Sequence, residues 1–393
     1  MSQSSCSLKD IYPPTGHVQH LYCDICKGHL RLAYGDFDKE VSGIRVRISG
    51  LPFLHCDTCK KDYLPDDSRF AIIYLHEQAM KQGVSAIQSN RQKPNVKYDL
   101  TPIPFDYDSD DYRYLPGLMR PQADGFLAPV FFNRAVLLKY DSLPDYSVKF
   151  ASTTYGTIAG PTFYISFGIN KSGKVIMWLG DIAALPEKEQ YYLRSENIPS
   201  DHDIGSEFYD GQIECIFTEP AKEQAVFALR SDFMEAAFKK FNIKIAHLDE
   251  EVLDLASSLN APLTDTKKER ERVADALNKV YVESFDNKAL ASIMKSLGGD
   301  PKDLGTLKRL QAILEAIANG QDVATTMSPF FTLYDFRVAS LHLTSIETAK
   351  QKLKTVTDRL KLPETATLSD IYSAILDGLS DSFEKMTAIV EGR

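Results

Sequence analysis

Two pairs of cysteines near the N-terminus carry the strongest chemical signal in this chain. Cys23 and Cys26 form the first C-x2-C pair, and Cys56 and Cys59 form the second. Structural Zn²⁺ sites use four thiolate or imidazole ligands in a tetrahedron, and each C-x2-C turn can supply two thiolates. The spacing therefore predicts one structural Zn²⁺ site that uses all four cysteines. A redox C-x-x-C motif is the alternative, but it needs only one pair beside a βαβ pattern, a context that neither pair has.

The segment between the two pairs predicts an element that holds the cysteines. From residue 44 to residue 48, apolar residues alternate with Arg45 and Arg47, and this period of two is typical of a strand with one apolar and one basic face. The basic face could contact a phosphate or an acidic partner, or it could simply be solvated. His29 and His55 lie beside the pairs. Because four thiolates already complete a tetrahedron, we predict hydrogen-bonding or surface roles for both.

Residues 20–67 resemble the YgiT-type zinc ribbon at the N-terminus of MqsA-like antitoxins. Besides the cysteines, the residues that carry the resemblance are Gly50-Leu51-Pro52 before the second pair and Tyr63-Leu64-Pro65-Asp66 after it. Lys27 and Lys60 follow the second cysteine of each pair, where the family usually has a Gly in a left-handed backbone conformation. The resemblance implies a zinc-ribbon fold for this segment. It does not extend to operator binding, because no helix-turn-helix pattern follows the ribbon.

Composition and charge limit the class of protein. The 393-residue chain is 44% hydrophobic and 25% charged, which is typical of a globular protein, and its length predicts two or three domains. The net charge is −9, and only residues 1–100, with 13 basic and 11 acidic side chains, could provide a basic surface for phosphate contacts. No stretch approaches about 18 apolar residues, and the N-terminus lacks a signal-peptide pattern. We therefore expect a cytoplasmic protein that does not span a membrane.

Hydrophobic patterns predict a multidomain α+β protein with an N-terminal zinc ribbon, a β-containing middle domain and an all-helical C-terminal domain. Two apolar runs at 163–169 and 174–180 flank a turn and predict a hairpin. After residue 222, apolar residues at helical spacing predict helices at 225–241, 249–259, 265–285, 303–318, 330–343, 345–360 and 369–390. Residues 85–98 are polar and are predicted as a linker. The predicted parts are a tail at 1–19, the ribbon at 20–67, a helix and linker at 68–99, the α+β middle domain at 100–221 and the helical domain at 222–393.

Two polar runs in the middle domain could carry chemistry. Asp201, His202 and Asp203 are consecutive within the densest polar stretch, and such a run could bind a divalent metal or hold a general base. A metal-dependent hydrolase centred on these residues is therefore one functional alternative. The side chains of neighbouring residues point in different directions, however, so a loop in which these residues form turns is the alternative explanation of the run. The acidic run at 106–112 is predicted as a solvated loop.

One pair of residues in the helical part resembles a catalytic motif. Arg337 and His342 have the R-x4-H spacing of HEPN domains, a helical family that includes metal-independent ribonucleases. The resemblance implies His342 as a general acid or base and Arg337 as the cation that stabilises charge on the cleaved phosphate. It also implies a homodimer, because two protomers of that family usually pair their motifs. The alternative is a structural His and a surface Arg, since positions five apart lie about 140° apart around a helix.

These patterns together predict a cytoplasmic zinc-binding sensor or adaptor of the toxin–antitoxin or phage-defence type. It would recognise a protein partner or, through Arg45 and Arg47, nucleic acid. The ribonuclease that uses the R-x4-H pair and the metal-dependent hydrolase are the two enzymatic alternatives. A basic patch favours the adaptor, a two-fold dimer that converges on His342 favours the ribonuclease, and carboxylates that converge on His202 favour the hydrolase.

Overall fold

The computed structural model describes residues 5–13, 16, 18–94, 96–120, 123–341 and 346–392. Contacts divide the chain into two compact units, unit 1 ending at Glu219 and unit 2 beginning at Pro220. Both sheets belong to unit 1, whereas unit 2 is helical. The combination of sheets and helices agrees with the predicted α+β class. Among the residues that the structure describes, no helix combines the length and the apolar character that a membrane span needs.

The first sheet of unit 1 is built around a long hairpin. Its elements are β1 (Ser5–Cys6), α1 (Leu8–Ile11), β2 (Arg31–Val41), β3 (Ile44–His55), β4 (Asp62–Tyr63), α2 (Asp66–Gln82) and β5 (Ala86–Asn90). Strands β2 and β3 pair in antiparallel fashion, and Ser42 and Gly43 connect them with positive φ angles of 46° and 85°. A two-residue turn of this kind matches the right-handed twist of the strands, which explains the tight connection.

The predicted alternation along β3 is confirmed. Ile44, Val46 and Ile48 are buried and belong to one apolar core with Ile72 and Ile73 of α2. The two arginines between them are part-exposed or exposed. Burial of one face of the hairpin against α2 therefore fixes the strand register, because a shift by one residue would expose the apolar set.

The segment at 85–98, predicted as a linker, contains a strand, so that prediction was wrong. β5 lies parallel to β3 at the edge of the sheet. The Arg45 N–H donates to the Ser85 carbonyl (2.9 Å), and the Arg91 N–H donates to the Ser49 carbonyl (3.0 Å). The side chains of β5 are exposed or only part-buried. Backbone hydrogen bonds to β3 hold this strand, and Ile87 is the side chain of β5 that packs against the core of the sheet. A strand with so few apolar residues has no clear periodic pattern, which is why its composition did not predict it.

The second sheet of unit 1 has the strand order β11-β6-β10-β9-β8-β7. The elements of this layer are α3 (Ser109–Tyr114), β6 (Pro129–Phe132), α4 (Leu137–Ser142), β7 (Ser147–Phe150), β8 (Tyr155–Ala159), β9 (Tyr164–Ile169), β10 (Val175–Trp178), α5 (Leu179–Ala183), α6 (Glu187–Glu196), β11 (Asn197–Ile198) and α7 (Glu207–Tyr209), which a π-helical turn (Asp210–Glu214) follows. The predicted β9–β10 hairpin is confirmed. The Asn170 side chain accepts hydrogen bonds from the N–H groups of Ser172 and Lys174 (3.0 Å each), which explains its turn.

Unit 2 packs its helices around one apolar core. They are α8 (Lys222–Phe241), α9 (Asp249–Ser257), α10 (Lys267–Asn278), α11 (Asn287–Ser296), α12 (Thr306–Ile317), α13 (Val323–Leu341), α14 (Ile346–Arg359) and α15 (Leu368–Glu391). A π-helical turn (Lys279–Glu283) follows α10. Helical spacing predicted all of them except α11, whose start is marked by Asp286, a side-chain acceptor for two N–H groups of its first turn.

Candidate metal centre

The four cysteines lie together at the open end of the β2–β3 hairpin. The first pair precedes β2 and the second follows β3, and the register places Arg31 opposite His55 at this end. The four Sγ atoms lie within 4.8 Å of one another, and Cys26 Sγ is 3.5 Å from Cys56 Sγ. Four thiolates at the Zn–S distance of about 2.3 Å are about 3.8 Å apart in a tetrahedron. The cluster is therefore close enough to hold one metal ion.

The two cysteine pairs adopt the same backbone turn. The Lys27 N–H donates to the Cys23 carbonyl (3.0 Å), and the Lys60 N–H donates in the same way to the Cys56 carbonyl (2.8 Å). Both lysines have positive φ angles, 62° and 57°. These are the positions where the ribbon family usually has Gly, which adopts this conformation without steric strain. The left-handed residue turns the chain after each pair, and the repeated turn gives the centre its internal symmetry.

Tyr63 of β4 contacts the cysteine cluster. Its hydroxyl lies 3.3 Å from Cys23 Sγ and accepts a hydrogen bond from the Asp24 N–H (3.1 Å). The hydrogen bond from Tyr63 is the largest cause that lowers the pKa of Cys23 to about 6. The pKa of Cys59 is raised to about 12, first by its hydrogen bond with the sulfur of Cys26. Thiolates this close together repel one another, so without a cation some of the cysteines keep their protons. A divalent cation that binds all four sulfurs as thiolates therefore releases those protons.

The two histidines beside the cysteines are directed to carboxylates. His29 Nε2 lies 2.8 Å from Asp210 Oδ1, and the Tyr22 hydroxyl donates to the same oxygen. His55 Nδ1 lies 2.7 Å from Asp62 Oδ1. Because Asp210 begins the π-helical turn after α7, the first of these contacts ties the first cysteine pair to the second sheet of unit 1.

The basic face of β3 is smaller than the sequence suggested. Arg45 Nε lies 2.7 Å from Asp38 Oδ1, and Arg47 Nε lies 3.4 Å from the same oxygen. The hydrogen bond from Arg45 is the largest cause that lowers the pKa of Asp38, so this carboxylate is ionised at neutral pH. Asp38 lies on β2, opposite Arg47. One carboxylate thus offsets part of the positive charge that both arginines would present to a phosphate backbone.

Each side chain of the Asp-His-Asp run at 201–203 has a different partner. The partners are Asn170 for Asp201 (3.1 Å), Asp111 for His202 (2.8 Å) and Lys171 for Asp203 (3.4 Å). Among the described residues, the four cysteines are the one group of three or more potential ligands close enough to share an ion. Two carboxylates do lie against His202, those of Asp111 at 2.8 Å and Asp108 at 3.9 Å. They and the run do not form a group close enough to share an ion, so the hydrolase hypothesis lacks a ligand set in the described part of the chain.

The acidic run at 106–112, predicted as a solvated loop, contains buried carboxylates, so that prediction was wrong. Asp110 and Asp111 are fully buried on α3, where Arg91 pairs with Asp110 (2.5 Å) and His202 with Asp111. His202 has a positive φ of 64°, which is uncommon for a residue other than Gly. Burial lowers the pKa of His202, but the hydrogen bond and the charge of Asp111 outweigh burial and raise it. These partners are distant in sequence, so no local pattern signalled them.

The R-x4-H pair is only half within the described part of the chain. Arg337 lies on α13, and its guanidinium is 3.5 Å from the Glu283 carboxylate. His342 lies outside the described residues. The ribonuclease pair therefore stays a prediction.

A groove beside α2 is a feature that sequence reasoning missed. Phe70 and Tyr74 are 52% and 60% exposed on the outer face of this helix. They line a groove of about 510 Å³, together with Tyr114 and two arginines, Arg91 and Arg113. Each arginine pairs with a carboxylate, Asp110 in the first case and Asp67 in the second. The groove thus combines exposed aromatic area with cations whose charge is locally balanced.

The fold and the cysteine cluster define a two-unit α+β protein in which four cysteines lie close enough together to hold one metal ion. Comparison with known proteins adds no family to this description, since no family model, curated protein or solved structure matches the chain. The likeness of residues 20–67 to the YgiT-type ribbon, and of the Arg337 region to HEPN domains, therefore stays a hypothesis that rests on the residues quoted for it.

Proposed function

We propose that this protein is a zinc-stabilised adaptor that binds a protein partner through unit 1. The observation that carries the proposal is the ligand set of the metal centre, the cluster of Cys23, Cys26, Cys56 and Cys59. Four thiolates complete the tetrahedral coordination of Zn²⁺ and leave no position for a substrate, which is typical of structural rather than catalytic sites. Zn²⁺ held there would fix both C-x2-C turns at the end of the hairpin and would contribute to the free energy of folding.

The groove beside α2 supports a protein as the partner. Exposed Phe and Tyr side chains next to Arg are the composition that protein interfaces favour. Phe70 and Tyr74 offer apolar area, and Arg91 and Arg113 offer hydrogen-bond donors whose charge is already paired with carboxylates. Nucleic-acid binding relies instead on unbalanced positive charge. The charge balance of the groove, together with the shared Asp38 at Arg45 and Arg47, therefore favours a protein partner.

The biological setting is proposed from two resemblances. A ribbon like that of MqsA-like antitoxins at residues 20–67, beside a helical part that resembles HEPN domains, suggests a toxin–antitoxin or phage-defence role. This step is an analogy between small domains, and a domain of this kind serves several functions. The cytoplasmic location is proposed from the N-terminal sequence, which lacks a signal-peptide pattern. The groove and the metal centre support an adaptor in any of these settings.

Photo-crosslinking from the groove tests the proposal. Tyr74 and Tyr191 are matched probes, because they are 60% and 58% exposed and both lie in unit 1, on α2 and α6. We expect the full chain with a benzophenone amino acid at position 74, expressed in its native host, to form a discrete protein adduct that position 191 does not form. Phe70→Ala should weaken this adduct, since an aromatic anchor at an interface contributes about 2 kcal/mol or more.

Two results would contradict the adaptor proposal. Equal adducts from positions 74 and 191 would mean that the groove has no specific partner. A nucleic-acid adduct from position 74, or binding of nucleic acid that Arg45→Glu with Arg47→Glu weakens and makes less salt-dependent, would assign unit 1 to nucleic-acid recognition instead.

A further inference from the structure

Unit 2 contains a buried arginine that has no acidic partner in the part of the chain that the structure describes. Arg230 lies on α8 and is only 6% exposed. Its Nη2 donates to the Ser284 hydroxyl (2.9 Å), directly after the π-helical turn that follows α10. Among the described residues, its Nε has no hydrogen-bond partner and no carboxylate lies within ion-pair distance of its guanidinium. The positive charge of Arg230 is therefore uncompensated by the residues that surround it.

An uncompensated buried charge is unfavourable for folding. Burial lowers the pKa of Arg230, and the negative charge of Asp249 offsets this only in part. Arginine nevertheless stays protonated at any physiological pH. Native proteins rarely bury an ion without a counter-ion, because desolvation of a single charge costs several kcal/mol. The unpaired nitrogen of the buried Arg230 guanidinium therefore indicates that a further anionic group belongs beside it.

Arg230 lines an open cavity of about 440 Å³ between α8 and α9. The rest of the lining is mainly apolar and includes Phe227, Met234, Phe238, Val252 and Leu253. The guanidinium lies 5.4 Å from the centre of the Phe227 ring, so a cation and an aromatic face meet in the same cavity. A volume of this size with apolar walls and one fixed polar group is typical of small-ligand sites.

We infer that this cavity binds a small amphipathic carboxylate, whose anionic group pairs with Arg230 and whose apolar body packs against the aromatic and aliphatic walls. The planar guanidinium presents paired N–H donors that match a carboxylate. A single arginine balances a single negative charge, which favours a monocarboxylate over a phosphate ester. Three further charged side chains line the cavity, and each has a partner of opposite charge: Lys244 pairs with Asp249, and Glu235 pairs with Lys239 one turn further along α8. These ion pairs are largely exposed, so Arg230 is the buried charge that is left to anchor an anion. This site is independent of the metal centre and gives the adaptor a ligand-responsive unit.

Isothermal titration calorimetry of the full chain tests the site with octanoate and its neutral counterpart 1-octanol. We expect octanoate to bind at one site per chain and at least about tenfold more tightly than octanol, the factor that corresponds to one charge-assisted hydrogen bond. Arg230→Met keeps the length of the side chain and should weaken octanoate by at least about tenfold. Arg270→Met on α10, which does not line the cavity, is the matched control and should bind octanoate as the natural chain does.

A second variant keeps the test valid if Arg230→Met does not fold. Ser231 is exposed and lines the cavity, so Ser231→Trp should fill its entrance and weaken octanoate at least about tenfold while Arg230 stays in place. Three results would each overturn the inference: no heat from octanoate with the natural chain, equal affinity for octanol, or unchanged octanoate affinity in both the Arg230→Met and Ser231→Trp variants.

Discussion

Lys27 and Lys60 adopt the left-handed backbone conformation, which is unfavourable for lysine. Their φ angles are 62° and 57°. This region costs about 1–2 kcal/mol for a residue with a Cβ atom, whereas Gly adopts it without strain. Lys27→Gly and Lys60→Gly should therefore each raise the free energy of unfolding of the metal-loaded protein, by about 0.5–1 kcal/mol after the greater unfolded-state entropy of Gly is subtracted. Urea denaturation followed by circular dichroism measures the change.

The control for this prediction is a lysine in ordinary strand backbone. Lys39 is exposed on β2, and Lys39→Gly should lower the free energy of unfolding by about 0.5–1 kcal/mol. If Gly at positions 27 and 60 is as destabilising as at position 39, the lysine side chains stabilise the turns more than their backbone strain destabilises them, contrary to the prediction.

His202 predicts a pH dependence of the stability of unit 1. Its pKa is raised in the folded protein because Asp111 and Asp108 outweigh the effect of burial and of Lys93. A raised folded-state pKa means that the protonated form contributes stability, which is fully present below the unfolded-state pKa of about 6.5 and is lost as the pH rises through the folded-state value. The free energy of unfolding should therefore decrease above about pH 6.5 more steeply in the natural chain than in a variant without this histidine.

His202→Asn isolates this contribution, since Asn tolerates the left-handed backbone that His202 adopts. Urea midpoints from about pH 5.5 to about pH 9, compared between the two chains, remove the contributions of other histidines from the difference. A difference in stability that stays constant over this range would show that the folded state does not favour the protonated imidazole.

At the scale of elements, β5 is held by its backbone. Two backbone hydrogen bonds, from the Arg45 N–H to the Ser85 carbonyl and from the Arg91 N–H to the Ser49 carbonyl, fix the register of this parallel pair. In that register the N–H groups of the odd-numbered residues of β5 point toward β3. Ser89→Pro removes an N–H on that side, and should lower the free energy of unfolding of unit 1 by about 1–3 kcal/mol. Gln88→Pro removes an N–H on the outer side of the edge strand, where proline is tolerated.

Thermal and urea unfolding of the two proline variants measure the difference. We expect Gln88→Pro to lower the free energy of unfolding by less than half as much as Ser89→Pro does. Because Ser89 lines the groove beside α2, Ser89→Pro should also distort that groove. Equal and small effects at both positions would mean that residues 85–98 behave as a linker in solution.

At the scale of the molecule, the division into two units predicts that the metal centre stabilises only one of them. Contacts from Tyr22 and His29 to Asp210 tie the first cysteine pair to the π-helical turn after α7, all within unit 1. Cys56→Ser should abolish the binding of about one metal ion per chain and lower the free energy of unfolding of unit 1 by about 5 kcal/mol or more. The helical signal of unit 2 should persist. Elemental analysis and thermal circular dichroism measure both effects.

Cys215→Ser is the matched control for metal removal, because Cys215 is an exposed cysteine of the same unit outside the cluster. It should keep the full metal content. Retention of the ion by Cys56→Ser, or simultaneous loss of the unit 2 helices, would contradict the assignment of four thiolate ligands or the independence of the units.

Local sequence determined much of this protein, because the deciding interactions lie close together along the chain. The spacing of each cysteine pair sets the reach of its two thiolates, and the alternation from 44 to 48 selects one buried strand face. Asn170 caps the turn between β9 and β10 through bonds to residues only two and four positions away. Helical spacing predicted most of unit 2 for the same reason, since burial of one helix face repeats every three to four residues.

Tertiary structure alone decided the features whose partners are far apart in sequence. Asp111 is buried because His202 reaches it from a different part of unit 1, and β5 is a strand because β3 accepts its backbone hydrogen bonds. The apolar residues of α2 do not by themselves reveal that Phe70 lines a groove. No sequence pattern around Arg230 indicates that this side chain is buried without a carboxylate beside it among the described residues. Burial and ion pairing of these groups depend on which distant residues the fold brings within a few ångströms, and local periodicity carries no information about that.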